Sequence, residues 1–369
     1  MPTYGENTLT DLSASLLASF TGDTAENVLR LPSAPHVCLL VIDGLGWELL
    51  RAHQAAAPFL AELAFNSTPL TCGFPATTVT SIASLGTGLP PGTHGMLGYQ
   101  VANPDTGRVL NGLRWPSDID PVAWQPRPTV YSRAQAAGVH AVYVAPASLE
   151  HSGLSRAVSR GPSFRGARPL GALAHETLQA LSEAERTLVT AYHPDLDTAG
   201  HKYGVASDAW AYQLAHVDRL AEQIASSLPS DSVLYVTGDH GMVDAGPDDR
   251  IDIDTVPGLL DGVELVGGDA RARYLYAAPG AESGVLARWR EILGDRAWVV
   301  PKDEAIKDGW FGPVEPEFTA RIGDVIAAAA GNTALIASAS EPEESQMIGL
   351  HGSLTPAEQL VPLLSLAAR

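Results

Sequence analysis

The run His36–Ile42 (HVCLLVI) is apolar at every position after the first and stops at Asp43. A strand with one face in water alternates between apolar and polar residues. A strand that does not alternate is covered on both faces, as the inner strands of a parallel sheet are. Two further β-branched runs occupy 187–192 (TLVTAY) and 232–237 (SVLYVT), and 140–144 is another strand candidate behind a helix-like stretch at 132–137. The segment 46–63 reads as helical, interrupted near Pro58, and 207–228 reads as a long amphipathic helix with Ser207 as its N-cap. Strands alternating with helices predict an α/β fold: a mostly parallel central sheet flanked by helices on both faces.

The stretch 248–333 breaks that rhythm. It mixes short strands at 273–277 and 297–300 with a helix near 283–293 and several Gly and Pro turns. We expect a small inserted α+β subdomain here, positioned as a cap over the site. The chain is then expected to return with a strand at 333–337 and to end in a helix beginning near Thr355-Pro356. The catalytic core would therefore comprise 1–247 and 334–369, a division that a chain of 369 residues accommodates.

Hydrophobic content of 45% and charged content of 18% describe an ordinary globular chain. The formal charge of −19 excludes a broad electrostatic grip on long nucleic acid. Small phosphoesters remain compatible, because bound divalent cations reverse the local field. No apolar run approaches the ~20 residues of a membrane span. The N-terminal Met-Pro-Thr-Tyr-Gly-Glu-Asn lacks the basic start and apolar stretch of a secretory signal, so the expected location is cytoplasmic. Cys38 and Cys72 form no CxxC and are expected as buried free thiols.

Three carboxylates lie just beyond predicted strands, where open α/β sheets bind ligands: Asp43, Asp197 and Asp239. A lone Asp there is usually a turn or helix cap; three, each with Gly or His close by, point to metal. Asp197 and His201 are four residues apart, close enough to hold one ion. Asp239 and His240 are adjacent in a turn that Gly238 and Gly241 leave room to bend, and His351 sits in Gly349-Leu-His-Gly352. All three histidines are expected in glycine-bearing turns at strand ends. His94, in Gly92-Thr-His-Gly95, has the same look and is read as a packing or supporting residue. Mixed Asp and His ligands suit Zn²⁺ better than Mn²⁺. Phe74-Pro-Ala-Thr-Thr78 leads into a helix-like run at 79–85, and a Thr at a helix start lies where free backbone N–H groups attract phosphate.

Taken in order, Leu40-Val-Ile-Asp-Gly44, Phe74-Pro-Ala-Thr-Thr78, Thr87-Gly-Leu-Pro-Pro-Gly-Thr-His-Gly95, Asp197-Thr-Ala-Gly-His-Lys-Tyr-Gly204, Gly238-Asp-His-Gly-Met242 and Leu350-His-Gly352 resemble the nucleotide pyrophosphatase/phosphodiesterase branch of the alkaline-phosphatase superfamily. The resemblance implies an alkaline-phosphatase-like fold and two divalent metal ions, zinc first, with manganese or iron as alternatives. It assigns Asp197, His201 and His351 to one ion, and Asp43, Asp239, His240 and the Thr78 oxygen to the other. The family spacing selects Asp197 over Asp195, and the second Thr of the motif, Thr78, as nucleophile over Thr77. The implied reaction is cleavage of a phosphodiester or nucleotide pyrophosphate through a phosphothreonine, with net retention at phosphorus after two inversions. The implied partner is a small phosphoester such as a nucleotide.

One position departs from the pattern. Where well-known diesterases of this branch carry an Asn that contacts a phosphate oxygen, this chain has Gly98-Tyr99. Tyr99, Asn111 and Arg114 are the candidates to replace that donor. A phosphomonoesterase or phosphonate hydrolase on the same metal bed is therefore the second reading, and a phosphomutase the third. A catalytically dead, metal-stabilised binding protein is the non-enzyme alternative; it would require the loss of a ligand or of the nucleophile.

Overall fold

The computed structural model describes residues 1–368. Its main sheet has six strands in the order Leu364–Ala367, Ser232–Gly238, His36–Ile42, Thr187–His193, His140–Ala145 and Ser163–Gly166. All neighbours are parallel except the edge pair formed by Leu364–Ala367 and Ser232–Gly238. The apolar run His36–Ile42 is central, and its side chains feed two separate cores. Val37, Leu39 and Val41 join Leu9, Leu12 and Leu16 on one face. Cys38, Leu40 and Ile42 join Trp210, Leu214 and Val217 on the other. Both cysteines are buried and free.

The helix predicted behind Ser207 runs from Asp208 to Ser226, and the Ser207 hydroxyl accepts the Trp210 N–H at 3.2 Å. The helix Leu9–Thr21, which sequence reading did not single out, is closed by a capping box between Thr8 and Asp11. Among the described residues no helix is long and apolar enough to cross a membrane.

Within 248–333 the chain builds a four-stranded antiparallel sheet in the order Val263–Asp269, Ala272–Ala277, Val325–Ala329 and Ala297–Pro301, with the helix Glu282–Leu293 alongside. The inner strand Val325–Ala329 was missed: VIAAA is short and small, with neither alternation nor bulk to mark it.

Two expectations near the C-terminus are corrected. The strand at 333–337 forms as Ala334–Ile336 but pairs with Arg250–Asp252 instead of the main sheet. The expected final helix is a single turn, Pro356–Gln359, after which Leu360–Val361 pairs with Leu70–Thr71 and Leu364–Ala367 becomes the antiparallel sheet edge. Pro362 stops any helical continuation, since it has no N–H to donate and clashes with the preceding turn.

That single turn carries Glu358, which pairs with Arg271 through Nη2 at 2.6 Å with both side chains fully buried. Glu358 also accepts from Ser353 N at 2.9 Å and from the Thr355 hydroxyl. Arg271 donates to the Thr333 carbonyl and, at 2.7 Å, to that of Gly331. The pair fixes the segment after His351 to the four-stranded sheet. Glu358→Ala would leave a buried guanidinium without its counter-ion, so we expect a loss of about 3–5 kcal/mol of unfolding free energy in urea titrations. The Arg271→Met/Glu358→Leu double variant is expected to lose less than the sum of its single variants.

Candidate metal centre and nucleophile

Strand register builds the first half of the site. Ile42 is aligned with Gly238 on one side and His193 on the other. Asp43 and Asp239 therefore leave the sheet side by side, and the Asp43 N–H is fixed to the His193 carbonyl at 3.0 Å. His240 follows directly, with its Nε2 3.4 Å from Asp43 Oδ1 and 3.6 Å from Asp239 Oδ2. Two glycines let the backbones close in. A Cβ on Gly241 would stand 2.0 Å from the Ala357 carbonyl, and one on Gly44 (φ +76°) would stand 3.0 Å from Asp197 Cα.

The second half comes from a helix. Thr187–His193 ends at Pro194, and Asp195–Tyr203 is helical, which places Asp197 and His201 one turn apart on one face. His201 was expected in a strand-end turn and instead lies in this helix. Its Nε2 is 3.3 Å from Asp197 Oδ2. The short ladder between Gly349–Leu350 and Val243–Asp244 delivers His351, whose Nε2 is 3.7 Å from Asp197 Oδ1 and 3.3 Å from His201 Nε2. The two triads thus brought together are Asp197, His201, His351 and Asp43, Asp239, His240. Asp195 is in neither.

The donor chemistry of these triads fits a cation. Each imidazole has its Nδ1 against a backbone carbonyl: Gly349 at 2.8 Å from His201, Ala76 at 2.9 Å from His351 and Gly241 at 3.1 Å from His240. A carbonyl only accepts, so Nδ1 carries the proton and each Nε2 presents a lone pair. Two such lone pairs face each other at 3.3 Å, and the buried oxygens Asp197 Oδ1 and Asp239 Oδ2 have no hydrogen-bond partner. Burial, then Asp239 and Asp197, pushes the Asp43 carboxyl well above its ordinary range, and burial raises Asp239 as well. Burial, then His240 and His201, holds His351 well below the ordinary imidazole value. Convergent lone pairs and crowded carboxylates are costly alone and are what a divalent ion relieves.

Thr78 lies against the Asp43, Asp239, His240 triad and shares a cavity wall with the other. It opens the helix Thr78–Thr87, which no side chain caps, and its hydroxyl is 3.2 Å from His240 Nε2 and 3.5 Å from Asp43 Oδ1. Thr77, the preceding N-cap, is buried. The loop before the helix is clasped to the His351 segment: Ala76 N donates to the Gly352 carbonyl at 3.0 Å, and the Ala76 carbonyl takes the His351 Nδ1–H. Tyr192, missed in the sequence, donates its hydroxyl to Asp43 Oδ2. Burial, then Asp43, raises its phenol well above the ordinary value, so it stays protonated as donor. Its only sequence signal is that it sits near the end of a strand leading to the site.

Of the three candidate substrate donors, Tyr99 lines a cavity of about 190 Å³ beside Thr78, with its hydroxyl directed at Glu344 Oε1 at 3.3 Å. Asn111 is turned to its own loop, accepting from Leu113 N and Arg114 N at 2.9 Å each. Arg114 is exposed and pairs with Glu343 at 3.1 Å. His94 belongs to neither triad. Met96 N donates to its Nδ1 at 3.0 Å, Ser84 Oγ is 3.1 Å from its Nε2, and burial holds it neutral with a pKa lowered to about 3.

With this geometry in place, comparison with known proteins is decisive for the family. Residues 37–354 match the Type I phosphodiesterase / nucleotide pyrophosphatase family. The chain belongs to that family. Murine ectonucleotide pyrophosphatase / phosphodiesterase 5, solved as an inactive variant in complex with AMP, has a similar fold. Its TM-score is 0.71 at 16% identity over 89% of this chain and 87% of that one. Phosphonoacetate hydrolase from Sinorhizobium meliloti 1021, solved with phosphonoformate, gives 0.67 at 19% identity over 91% and 90%. A phosphopentomutase from Idiomarina loihiensis is 28% identical over 184 residues, which span 49% of this chain and 44% of that protein. As a Type I phosphodiesterase / nucleotide pyrophosphatase family member, the chain is a phosphoesterase-type hydrolase, and the family fold implies divalent metal ions.

Metal-stripped protein titrated with a divalent ion is expected to bind two equivalents per chain by equilibrium dialysis, and Asp239→Asn to bind one. Because the ligands converge only in the folded chain, the thermal midpoint should rise with ion concentration, by the equivalent of about 2.7 kcal/mol at a hundredfold excess over Kd.

Proposed function

We propose that this protein hydrolyses phosphodiester or nucleotide pyrophosphate bonds through a phosphothreonine on Thr78, with two zinc ions as cofactors. The observation that carries the reading is the Thr78 hydroxyl at a helix start, 3.2 Å from His240 Nε2 and within reach of Asp43. Asp197, His201 and His351 would hold one ion; Asp43, Asp239, His240 and the Thr78 oxygen would hold the other. Bound zinc would lower the pKa of the Thr78 hydroxyl and neutralise charge on the transferring phosphoryl group.

The remaining work falls to the chain. The Ala76–His351 clasp fixes the nucleophile loop relative to one triad, and Tyr192 fixes Asp43 in the other. The uncapped N–H groups at the start of the helix Thr78–Thr87 offer donors for phosphate oxygens. Thr78 Oγ forms a bond to phosphorus as the ester oxygen departs with a proton. Water then cleaves the phosphothreonine, and two inversions give net retention. The monoester reading calls for a cation against the extra phosphate charge. Arg114 is the candidate, and it is exposed and already paired with two carboxylates, Glu343 at 3.1 Å and Glu344 at 3.7 Å, which favours the diester.

Zinc-loaded Thr78→Ala should lose on the order of 10³-fold or more in kcat/KM on bis(p-nitrophenyl) phosphate while still binding metal. Thr77→Ala should retain most activity, and p-nitrophenyl phosphate should be the poorer substrate of the wild type. Full activity in Thr78→Ala would rule out the covalent route, and loss confined to Thr77→Ala would move the nucleophile by one residue.

A further inference from the structure

A large apolar side chain stands exposed at the site. Leu113 is 55% exposed, yet its loop is fixed: Asn111 Oδ1 takes its N–H, Arg114 reaches Glu343, and Trp115 Nε1 donates to the Ile119 carbonyl at 2.9 Å. Leu113 lines two cavities that both reach Thr78 and Asp197. It therefore stands as a partition in one cleft.

The two compartments differ in chemistry. The larger, about 350 Å³, presents Tyr143, Leu149 and Leu154 with the hydroxyls of Ser155 and Ser159, and its only charged groups are Asp43 and Asp197. The smaller, about 190 Å³, carries the carboxyl groups of Asp269, Glu341 and Glu344 beside Tyr99. Among the described residues no Lys or Arg lines either one. Arg273, which pairs with Glu341 at 2.7 Å, is itself buried behind that wall.

We propose that the cleft is built for a phosphodiester with two unlike arms: an uncharged arm in the larger compartment, and an uncharged or cationic one in the smaller. Leu113 is the contact that separates them. This rests on the diester reading above and narrows it, because it sets pyrophosphate aside as the departing group. A departing pyrophosphate would bring several negative charges against a wall of carboxyl groups whose nearest cations lie outside the lining, Arg273 held by Glu341 at 2.7 Å and Arg114 by Glu343 and, at 3.7 Å, by Glu344. A hydroxyl or an amine finds acceptors there. In the step itself the Thr78 Oγ–P bond forms and the bond from phosphorus to the departing oxygen breaks. The Thr78 hydroxyl gives its proton to water as it bonds, and the departing oxygen takes one from water, so the step is neutral in protons.

Thymidine 5′-(p-nitrophenyl) phosphate and thymidine triphosphate would both transfer the same thymidylyl group to Thr78 and differ only in what departs. Their kcat/KM ratio should be compared in zinc-loaded wild type, Glu344→Gln and Glu344→Lys, so that intrinsic leaving-group reactivity cancels between proteins. The triphosphate-to-ester ratio is expected to rise about threefold with Gln and at least about tenfold with Lys. If Glu344→Lys does not fold, Glu344→Gln carries the test.

For the other compartment, Ser155→Trp should raise KM for the thymidine ester at least about tenfold relative to methyl p-nitrophenyl phosphate. Ratios unchanged by both Glu344 variants, or a wild type that favours the triphosphate, would overturn the charge assignment. An unchanged KM comparison in Ser155→Trp would overturn the placement of the uncharged arm. Wild-type turnover of p-nitrophenyl phosphate with neither thymidine compound would instead sink the diester reading itself.

Discussion

Asp43 and Asp239 emerge from neighbouring strands in matched register, and the rest of the site answers the electrostatic cost of holding two buried carboxylates together. Tyr192 offsets part of that cost by donating to Asp43, and the Gly44 and His240 N–H groups offset part by donating to Asp239 at 3.0 Å each. What remains is a pair of triads whose lone pairs converge and whose orphaned oxygens have no protein donor. The sheet spends part of its folding free energy to present that surplus of negative charge, and a divalent ion is the group that returns it.

Much of this was legible in the sequence because the chemistry sits where the strands end. An apolar run needs no partner to be recognised, and His36–Ile42 pointed directly to Asp43. The Asp and His residues of the two triads were nameable because their spacing and their glycines are local features. What was not legible depends on contacts between distant segments. Tyr192 reads as one more buried strand residue until the fold sets it against Asp43. Leu113 reads as an unremarkable loop residue until two cavities open on either side of it. Asp269 closes a strand, while Glu341 and Glu344 share one turn much later in the chain, and no periodicity relates the two segments.

The errors have the same origin. His201 was expected in a turn because its neighbours include glycine, yet Asp195–Tyr203 closes a helix in which Gly200 sits with its Cα against Met242. Thr333–Ala337 has the composition of a sheet strand, but composition does not choose among sheets, and Arg250–Asp252 supplied the edge. The C-terminal segment carries both a helix start and a Pro, and Pro362 prevails after one turn. Tyr99, Asn111 and Arg114 were grouped as donors by type. The structure separates them into one residue that faces the cavity and two that hold the loop carrying Leu113.

The clasp between Ala76 and the His351–Gly352 segment also bears on when the site can exist. The loop that bears Thr78 lies early in the chain, and the residues that orient it lie late, beyond the whole four-stranded sheet. A nascent or nicked chain lacking the late segment would contain the central strands and one complete triad, but Thr78 would lack its anchor and Asp197 and His201 their third partner. Such a fragment could hold an ion without holding the geometry for turnover. Joining the Thr78 loop to the second triad therefore waits on synthesis of the late segment, through two hydrogen bonds to one alanine.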